Sequence, residues 1–462
     1  MSGVTTIDPA TGAVLGRYPY TSDSRLDAAL DAAVTAGACW GGSSVTRRQA
    51  SLRALADKLT ARRAEYAALI TAEMGKPIDQ ALAEIAKCAR TCAFYAERLP
   101  ELLAPERIDL APDSGVVRLR PLGTLLAIMP WNYPFWQVIR SMVPAVAAGN
   151  TVLLKHADNV TGSAERLTGL FDDVFGKGVL GSVVLPPERT GALIDDSRVA
   201  AVAFTGSNRV GALVAARAGA AVKKTVLELG GSDPFVVLPD ADVPAAARAA
   251  VRSRFLNVGQ SCIAAKRLIV HRAVYGEFAE AVVAGIGELV VGDPRESGVD
   301  IGPMARTDLR DTLRGQLDAA LRAGARLLTG GAPDSRPGAW FRPTAIEVSG
   351  VDGPAFQEET FGPLAVLFPA ESEEDAVRAA NATRYGLSCA VWSGDPDRAL
   401  AVAERIGTGS IFVNRVSESD ARLPVGGVKA SGHGRELGRA GITEFANLQA
   451  VRTAFPARKE NS

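Results

Sequence analysis

The sequence predicts an α/β fold made of two domains, each built on a mostly parallel sheet. The first observation is that short apolar runs alternate with amphipathic helical stretches, between residues 122 and 231 and again between 234 and 412. Buried strands that alternate with helices are typical of doubly wound parallel sheets. The second observation is length, because 462 residues exceed what one hydrophobic core usually supports. Ligand clefts often form between domains, so we expect a site at the seam.

The elements of the first region follow from its periodicity. A stretch punctuated by Gly and Pro indicates an opening hairpin, and residues 24–95 then carry helical periodicity. Apolar runs predict strands at 124–129, 151–155, 182–185 and 199–204. Amphipathic patterns predict helices over 135–148 and 162–175 and a further helix that opens at Ser207. This order is that of a parallel sheet with helices packed on its faces.

The second region repeats the alternation with its own elements. We expect a strand at 235–238, a helix over 243–255, a strand at 267–271 and a helix over 275–289. Residues 115–120 alternate apolar and polar side chains, which predicts a separate strand with one polar face. No internal repeat or low-complexity tract interrupts this organisation.

Charge and composition exclude several classes of function. The formal net charge is +0, from 51 basic and 51 acidic residues, so no electrostatic footprint for nucleic acid or anionic lipid is present. We find no signal peptide pattern at the start and no apolar run long enough to span a membrane. The odd, scattered set of 5 cysteines suits a reducing cytoplasm better than a disulfide framework.

Metal chemistry is disfavoured by the same inventory. Cys88 and Cys92 share one face of a predicted helix, but no third or fourth ligand lies near them, so core packing is the better account. The three histidines, His156, His271 and His433, form no ligand pair. A general base in this chain must therefore be a carboxylate or a lysine.

The most informative residues are a cysteine and a glutamate. Cys262 ends the glycine-containing segment NVGQSC at 257–262, and Glu228 follows the apolar run at 225–227. A lone cysteine is usually a small buried hydrophobe. A thiolate that attacks a carbonyl carbon and a carboxylate that activates water are, however, what covalent catalysis on a carbonyl needs.

Several further motifs accompany this pair in a consistent order. They are PWNYP at 130–134, FTGS at 204–207, LELGG at 227–231, EETFGP at 358–363 and GGVKASG at 426–432. With them, the chain from residue 7 to residue 432 resembles the NAD(P)-dependent aldehyde dehydrogenase superfamily. The segments at 136–140, 154–157 and 420–422 look most like those of bacterial succinate-semialdehyde dehydrogenases.

The resemblance implies a different catalytic role for each of three residues. Cys262 would attack the aldehyde carbon to form a thiohemiacetal, whose oxyanion needs donors such as the Asn132 side-chain amide and a backbone N–H. Loss of hydride would leave a thioester, and Glu228 would activate the water that hydrolyses it. The spacing of Glu228 and Cys262 is that of the hydrolytic members of the superfamily.

The resemblance also implies a nicotinamide cofactor site, although the usual Gly-x-Gly-x-x-Gly fingerprint is absent. Gly206 would turn the chain from strand to helix, and the helix N-terminus at Ser207 would offer N–H donors to phosphate, with Val210 near the adenine. Lys155 would reach the adenosine ribose. Asp158 would accept hydrogen bonds from the ribose hydroxyls and repel a 2′-phosphate, which favours NAD, with NADP as the alternative.

Four more residues belong to this expected cofactor site. Glu359 and Phe361 match the pair that positions the nicotinamide ribose and ring. Trp131 and Leu229 lie in the motifs that line the same cleft.

Substrate choice rests on Trp136, Arg140 and Arg422. Trp136 and Arg140 are four residues apart, so one helical face would carry both, and an arginine here would grip the distal carboxylate of a semialdehyde. Leu256 and Val425 depart from the semialdehyde-type pattern, and Arg422 would supply the missing charge. A larger or neutral aldehyde, and transfer of the acyl group to coenzyme A, remain alternatives, as does a catalytically silent scaffold.

The resemblance implies three structural units. A Rossmann-type cofactor-binding domain would comprise residues 1–107 and 122–231, and a second α/β catalytic domain residues 232–428. A small oligomerisation element would comprise 108–121 and 446–458, and would join copies of the chain into a homodimer or homotetramer. The expected partner is a small-molecule aldehyde, with no nucleic acid, membrane or metal.

Overall fold

The computed structural model describes residues 3–111 and 113–454 of the chain. Its first part is a hairpin followed by four helices and an antiparallel pair of strands. These are β1 (Gly3–Ile7), β2 (Val14–Pro19), α1 (Asp23–Gly41), α2 (Val45–Ala61), α3 (Arg63–Met74), α4 (Ile78–Leu102), β3 (Glu106–Leu110) and β4 (Asp113–Pro121). The opening hairpin and the helical region are thereby confirmed.

The next segment alternates strands and helices. It contains β5 (Thr124–Met129), α5 (Trp136–Ala147), β6 (Thr151–His156), α6 (Thr161–Phe175), β7 (Leu180–Ser182), α7 (Pro187–Asp195), β8 (Val199–Thr205), α8 (Asn208–Ala220) and β9 (Lys224–Glu228). Together with β17 (Gly432–His433), the strands form a six-stranded sheet in the order β17-β9-β8-β5-β6-β7. All its pairings are parallel except that of β17.

A second alternating segment builds a seven-stranded sheet. It contains β10 (Asp233–Val237), α9 (Val243–Phe255), β11 (Ala265–His271), α10 (Arg272–Gly287), α11 (Thr307–Arg322), β12 (Arg326–Thr329), β13 (Thr344–Glu347), α12 (Pro354–Gln357), β14 (Leu364–Ala370), α13 (Glu373–Asn381), β15 (Ser388–Trp392), α14 (Pro396–Ala403) and β16 (Ser410–Val413). The strand order is β12-β13-β14-β11-β10-β15-β16, and β12 alone pairs antiparallel within the described residues.

The last elements are α15 (Gly438–Glu444) and β18 (Ala446–Thr453). β18 returns to β4 and completes a three-stranded antiparallel sheet in the order β18-β4-β3. The residues predicted to form an oligomerisation element, 108–121 and 446–458, fall largely on this sheet, and 455–458 lie outside the described residues.

The strands are where the apolar runs predicted them, because buried parallel strands read as continuous hydrophobic segments. β5, for example, has its six residues buried except Ile128. One strand differs: residues 182–185 were expected, but β7 ends at Ser182. Val184 leaves the sheet because its N–H and C=O bond Thr21 instead.

The sheet order places the site. β5 pairs with β6 on one side and with β8 on the other, so the chain direction across the sheet reverses at β5. In open α/β sheets, ligands bind outside the carboxyl ends of the strands at such a switch point. Asn132 follows β5, Gly206 follows β8 and Glu228 ends β9. Among the described residues, no helix has the length and apolar character to cross a membrane.

Candidate active site

The nucleophile turn is a run of left-handed backbone between α9 and β11. Asn257, Val258 and Gly259 have φ values of 57°, 56° and 70°. Such values are uncommon for residues with a side chain and are characteristic of strained functional turns. A Cβ on Gly259 would collide with the Gly362 carbonyl, so glycine is required there. The turn presents Cys262 at the seam between the two large sheets.

Lys266, in β11, secures the turn from the other side. Its ammonium donates to the carbonyl oxygens of Ser261 and Cys262, each at 2.7 Å. It also lies 3.4 Å from Glu359 Oε1. A cation is thereby held beside the cysteine without any bond to its sulfur.

The Cys262 thiol is protonated at neutral pH in this arrangement. Burial raises its pKa to about 12, while the positive charges of Arg140 and Lys266 act in the opposite direction. The negative charges of Glu228 and Glu359 raise the pKa further. Because the thiolate is the nucleophile, the thiol must lose its proton as the sulfur attacks.

Glu228 is a buried carboxylate whose charge acts on this thiol. It ends β9 with only 2% of its side chain exposed. Burial raises its pKa from 4.5 to about 7, the Arg140 charge lowers it, and the Glu436 charge raises it. A carboxylate whose pKa is near neutrality is well matched to proton transfer at the working pH.

Arg140 is held by two protein carboxylates. Its guanidinium, in α5, is 3% exposed and contacts Glu436 through Nε and Glu228 through Nη2, the latter at 3.4 Å. Whether Arg140 grips a substrate carboxylate stays a prediction, which the comparison of matched aldehydes below tests. The Glu228 and Glu436 carboxylates balance the charge of the guanidinium. A buried guanidinium without such partners would cost free energy.

The other two expected substrate residues are also placed away from an open cleft. Trp136 is 4% exposed and packs in the core, with Lys87 Nζ 4.6 Å from its ring centroid. Arg422 has a 75% exposed side chain that pairs with Asp420 at 2.6 Å. Neither Trp136 nor Arg422 points to a substrate contact, because the first is covered by packing and the second is paired at the surface.

Asn132 is brought to the nucleophile turn as expected. It lies in the loop after β5, is 4% exposed, and donates from Nδ2 to the Gln260 carbonyl at 3.0 Å. A side-chain amide has two N–H donors, so one is left for an oxyanion formed beside Cys262.

The expected phosphate-binding segment is a strand, a glycine turn and a helix. Ser207 caps α8 by accepting from the Val210 N–H at 3.4 Å. Thr205 Oγ1, at the end of β8, is buried and has no hydrogen-bond partner among the described residues. A helix N-terminus beside an unpaired hydroxyl suits a phosphate-bearing ligand.

The residues expected to hold the ribose and the nicotinamide make contacts of their own. Lys155 Nζ and Asp158 Oδ1 are 2.8 Å apart. Glu359 Oε1 accepts the Gly231 N–H at 3.1 Å. A Cβ on Gly230 would lie 2.7 Å from both Asn208 Oδ1 and Glu359 Oε2. Only glycine therefore leaves open the space between Asn208, Gly230 and Glu359, which we call the cofactor cradle.

Aromatic side chains close the cradle. The Trp131 and Phe361 rings meet edge to face, with centroids 5.7 Å apart. Leu229 packs under α8, where a Cβ on Gly211 would collide with it. The residues present therefore fit a nicotinamide dinucleotide, which would supply a hydride acceptor when bound.

Sequence reasoning missed two residues of this cluster. Lys266 stands four residues after Cys262, a spacing that could have identified it as a neighbour of the thiol. Glu436 had no local signal. Glu436 joins this cluster because the segment after β17 pairs with an earlier segment of the chain. The pairing is an isolated antiparallel bridge between Val425 and Glu436.

The chain is similar to known proteins over nearly its whole length. A model of the Aldehyde dehydrogenase family matches residues 2–451. The succinate semialdehyde dehydrogenase [NAD(P)+] Sad of Escherichia coli is 45% identical over 446 residues, covering 96% of each chain. A probable succinate-semialdehyde dehydrogenase [NADP(+)] of Synechocystis sp. is 41% identical, covering 97% of this chain and 99% of the other.

A solved structure is similar over the same extent. Succinic semialdehyde dehydrogenase from Streptococcus pyogenes, in complex with NADP+, superimposes with a TM-score of 0.95 at 33% identity and covers 97% of this chain and 99% of that one. Because sequence family, relatives and backbone all agree across nearly the whole length, the chain belongs to the aldehyde dehydrogenase family.

Proposed function

We propose that this aldehyde dehydrogenase oxidises succinic semialdehyde, or a closely related semialdehyde, with NAD or NADP as cofactor. The observation that carries the chemistry is the convergence of Cys262, Glu228 and Asn132 at the seam of the two large sheets. The substrate class is supported by the two relatives and the solved structure named above, each of which is a succinate-semialdehyde dehydrogenase by name.

The chain's own residues account for the acyl chemistry. As the Cys262 sulfur attacks the aldehyde carbon, the S–H bond breaks and its proton passes to solvent water, so that Glu228 stays deprotonated for the later step. The carbonyl oxygen gains the negative charge, which the free Asn132 amide N–H stabilises. A nicotinamide dinucleotide, when bound, supplies the hydride acceptor. Glu228 then takes a proton from the water that attacks the thioester, and the carboxylic acid and free thiol are released.

The substrate proposal is tested by comparing matched aldehydes. Succinic semialdehyde and butyraldehyde have the same carbon number, and absorbance at 340 nm follows their oxidation with NAD and with NADP. We expect kcat/KM to favour succinic semialdehyde. A preference for butyraldehyde would contradict the proposed substrate and leave the activity class intact. Faster turnover on addition of coenzyme A would instead indicate acyl transfer.

The cofactor preference is predicted from Asp158. Its carboxylate is 44% exposed beside Lys155, and a 2′-phosphate there would meet like charge. We expect kcat/KM to be higher with NAD than with NADP. Two like charges 4 Å apart in water repel by ~1 kcal/mol, so Asp158→Ser should raise the ratio of kcat/KM for NADP to that for NAD by roughly five-fold. The ratio of kcat/KM for the two cofactors measures this.

Asp173→Ser is the matched control for Asp158→Ser, because Asp173 also pairs with a lysine, Lys58, at 3.1 Å on an exposed surface. That variant should leave the cofactor ratio unchanged. A native enzyme that prefers NADP would show that the Asp158 carboxylate turns away from the ribose when cofactor binds.

The Arg140 contacts predict opposite shifts of the pH profile. Because the Arg140 charge lowers the pKa of Glu228 and the Glu436 charge raises it, Arg140→Met should move the rise of kcat to higher pH. Glu436→Gln should move the same rise to lower pH. Arg140→Met should also cost succinic semialdehyde and butyraldehyde the same factor in kcat/KM. A fall in kcat/KM for succinic semialdehyde alone would indicate that Arg140 binds the substrate carboxylate.

We further propose that copies of the chain associate through the three-stranded sheet. Leu448 in β18 and Ile108 and Leu110 in β3 are large apolar side chains with 60%, 39% and 38% exposure on this small sheet. Both outer strands have an unpaired edge among the described residues. Such edges favour pairing with another chain. Sedimentation of the native protein distinguishes monomer, dimer and tetramer.

The remaining organisation is proposed on the same basis. Residues 1–107 and 122–231 would form the cofactor-binding domain and 232–428 the catalytic domain, which the two separate sheets support. A cytoplasmic location is supported by the five cysteines, all of them free. Cell fractionation tests the location.

A further inference from the structure

A buried ion pair lies behind the loop that carries Asn132, and the steps proposed above do not use it. Lys76, just after α3, contacts Glu84 in α4, and both side chains are 1% exposed. Removing two charges from water costs free energy that offsets much of the attraction between them. A buried ion pair is therefore weak evidence of a stabilising role. Its other contacts indicate what else it does.

Lys76 binds the backbone of Asn132, the proposed oxyanion donor. Lys76 Nζ donates to the Asn132 backbone carbonyl at 3.1 Å. The same ammonium lies 3.7 Å from the ring centroid of Tyr133, the next residue. A charged donor and a cation–π contact therefore fix two consecutive residues of the loop between β5 and α5.

The glutamate holds the other end of that loop. Glu84 Oε1 accepts the backbone N–H groups of Phe135 and Trp136, each at 3.0 Å. α5 has no capping side chain of its own at this end. A carboxylate at a helix N-terminus satisfies free donors and complements the helix dipole. Glu84 thus sets where α5 begins.

The clamped peptide also meets the nucleophile turn. Asn257 Nδ2 donates to the same Asn132 carbonyl at 2.8 Å, and Asn132 Nδ2 donates back to the Gln260 carbonyl at 3.0 Å. Asn257 and Gln260 both belong to the turn that ends at Cys262. The Asn132 peptide is therefore the point at which the ion pair and the nucleophile turn are joined.

We propose that Lys76 and Glu84 are positioning residues that hold Asn132 against the Cys262 turn, so that its free amide N–H meets the oxyanion. The inference rests on the proposed role of Asn132. A small displacement of such a donor is costly, because oxyanion stabilisation depends on donors placed in advance of the reaction.

The test is Lys76→Met/Glu84→Gln, which removes both charges, keeps similar volumes and leaves an amide oxygen for the α5 donors. The first-turnover rate of NADH formation should fall by about 10- to 100-fold, within the range for loss of an oxyanion donor. Alkylation of Cys262 by iodoacetamide, in a Cys39→Ala background, should change by less than about two-fold. That displacement forms an S–C bond, releases iodide and creates no oxyanion.

A double-mutant cycle with Asn132→Ala completes the test. If the pair acts through Asn132, adding Lys76→Met/Glu84→Gln to Asn132→Ala should slow the first turnover by less than about two-fold. Arg62→Met/Glu65→Gln, which replaces an exposed pair by the same residues, should leave every rate unchanged.

Additive losses in the cycle, or alkylation that slows in parallel with turnover, would overturn the proposal and make the pair a structural feature only. If the paired variant does not fold, Glu84→Gln alone is put through the same measurements with the same criteria. An Asn132→Ala enzyme with native first-turnover rate would overturn the role of Asn132 itself, and is recognised independently of the pair.

Discussion

Cys262→Ala is expected to abolish aldehyde oxidation while cofactor binding persists. The thiol forms the only covalent bond to substrate in the proposed reaction, and the cofactor cradle is built from other residues, including Gly230 and Glu359. Loss of a nucleophile costs on the order of 10⁴-fold or more in turnover. Steady-state NADH formation measures the loss, and calorimetric titration with NAD measures cofactor affinity.

Cys39→Ala is the matched control for the nucleophile, because Cys39 is a free and exposed cysteine in α1. It should retain native turnover. Substantial oxidation by Cys262→Ala would remove Cys262 from the mechanism. Loss of cofactor binding in that variant would mean that the substitution disturbs the cleft and not only the reacting sulfur.

Glu228→Gln is expected to separate the two halves of the reaction. A neutral amide cannot accept the proton of the hydrolytic water, so thioester hydrolysis should slow by about 10²- to 10⁴-fold, the usual contribution of general-base catalysis. Hydride loss precedes that step. Rapid mixing should therefore show a burst of NADH approaching one equivalent per active site, followed by a slow steady state.

The pH profile gives the same assignment a second readout. Glu228 must be deprotonated to act as a base, and its pKa is raised to about 7. Native turnover should accordingly rise with pH through about 7, and this rise should disappear in Glu228→Gln. Native steady-state turnover in the variant would exclude Glu228 as the base.

Glu73→Gln is a matched control for Glu228→Gln at saturating cofactor. Glu73 is also buried, with a pKa raised to about 7, but it caps α6 through the N–H groups of Gly162 and Ser163. It should neither create a burst nor remove the pH dependence. A burst in this variant would mean that burial of any carboxylate, and not the position of Glu228, produces the effect.

The elements that were predicted well are those whose signal is local. β5, β6 and β8 follow from continuous apolar runs, since both faces of a parallel strand are covered. The beginning of α8 follows from Ser207, whose hydroxyl caps the helix. The end of β7 was misplaced, because the bonds of Val184 to Thr21 join segments far apart in the chain.

The chemistry of the site divides in the same way. The sequence alone predicted the fold class, which the structure confirms, and it proposed Cys262, Glu228 and Asn132 as nucleophile, base and oxyanion donor, because each lies in a short motif of characteristic order. The pairing of Arg140 with Glu228 and Glu436, and the contacts of Lys76 and Glu84 with the Asn132 loop, are visible only in the folded structure. Charge partners are set by which side chains packing brings within a few ångströms, and residues 140 and 436 meet only once the chain has folded.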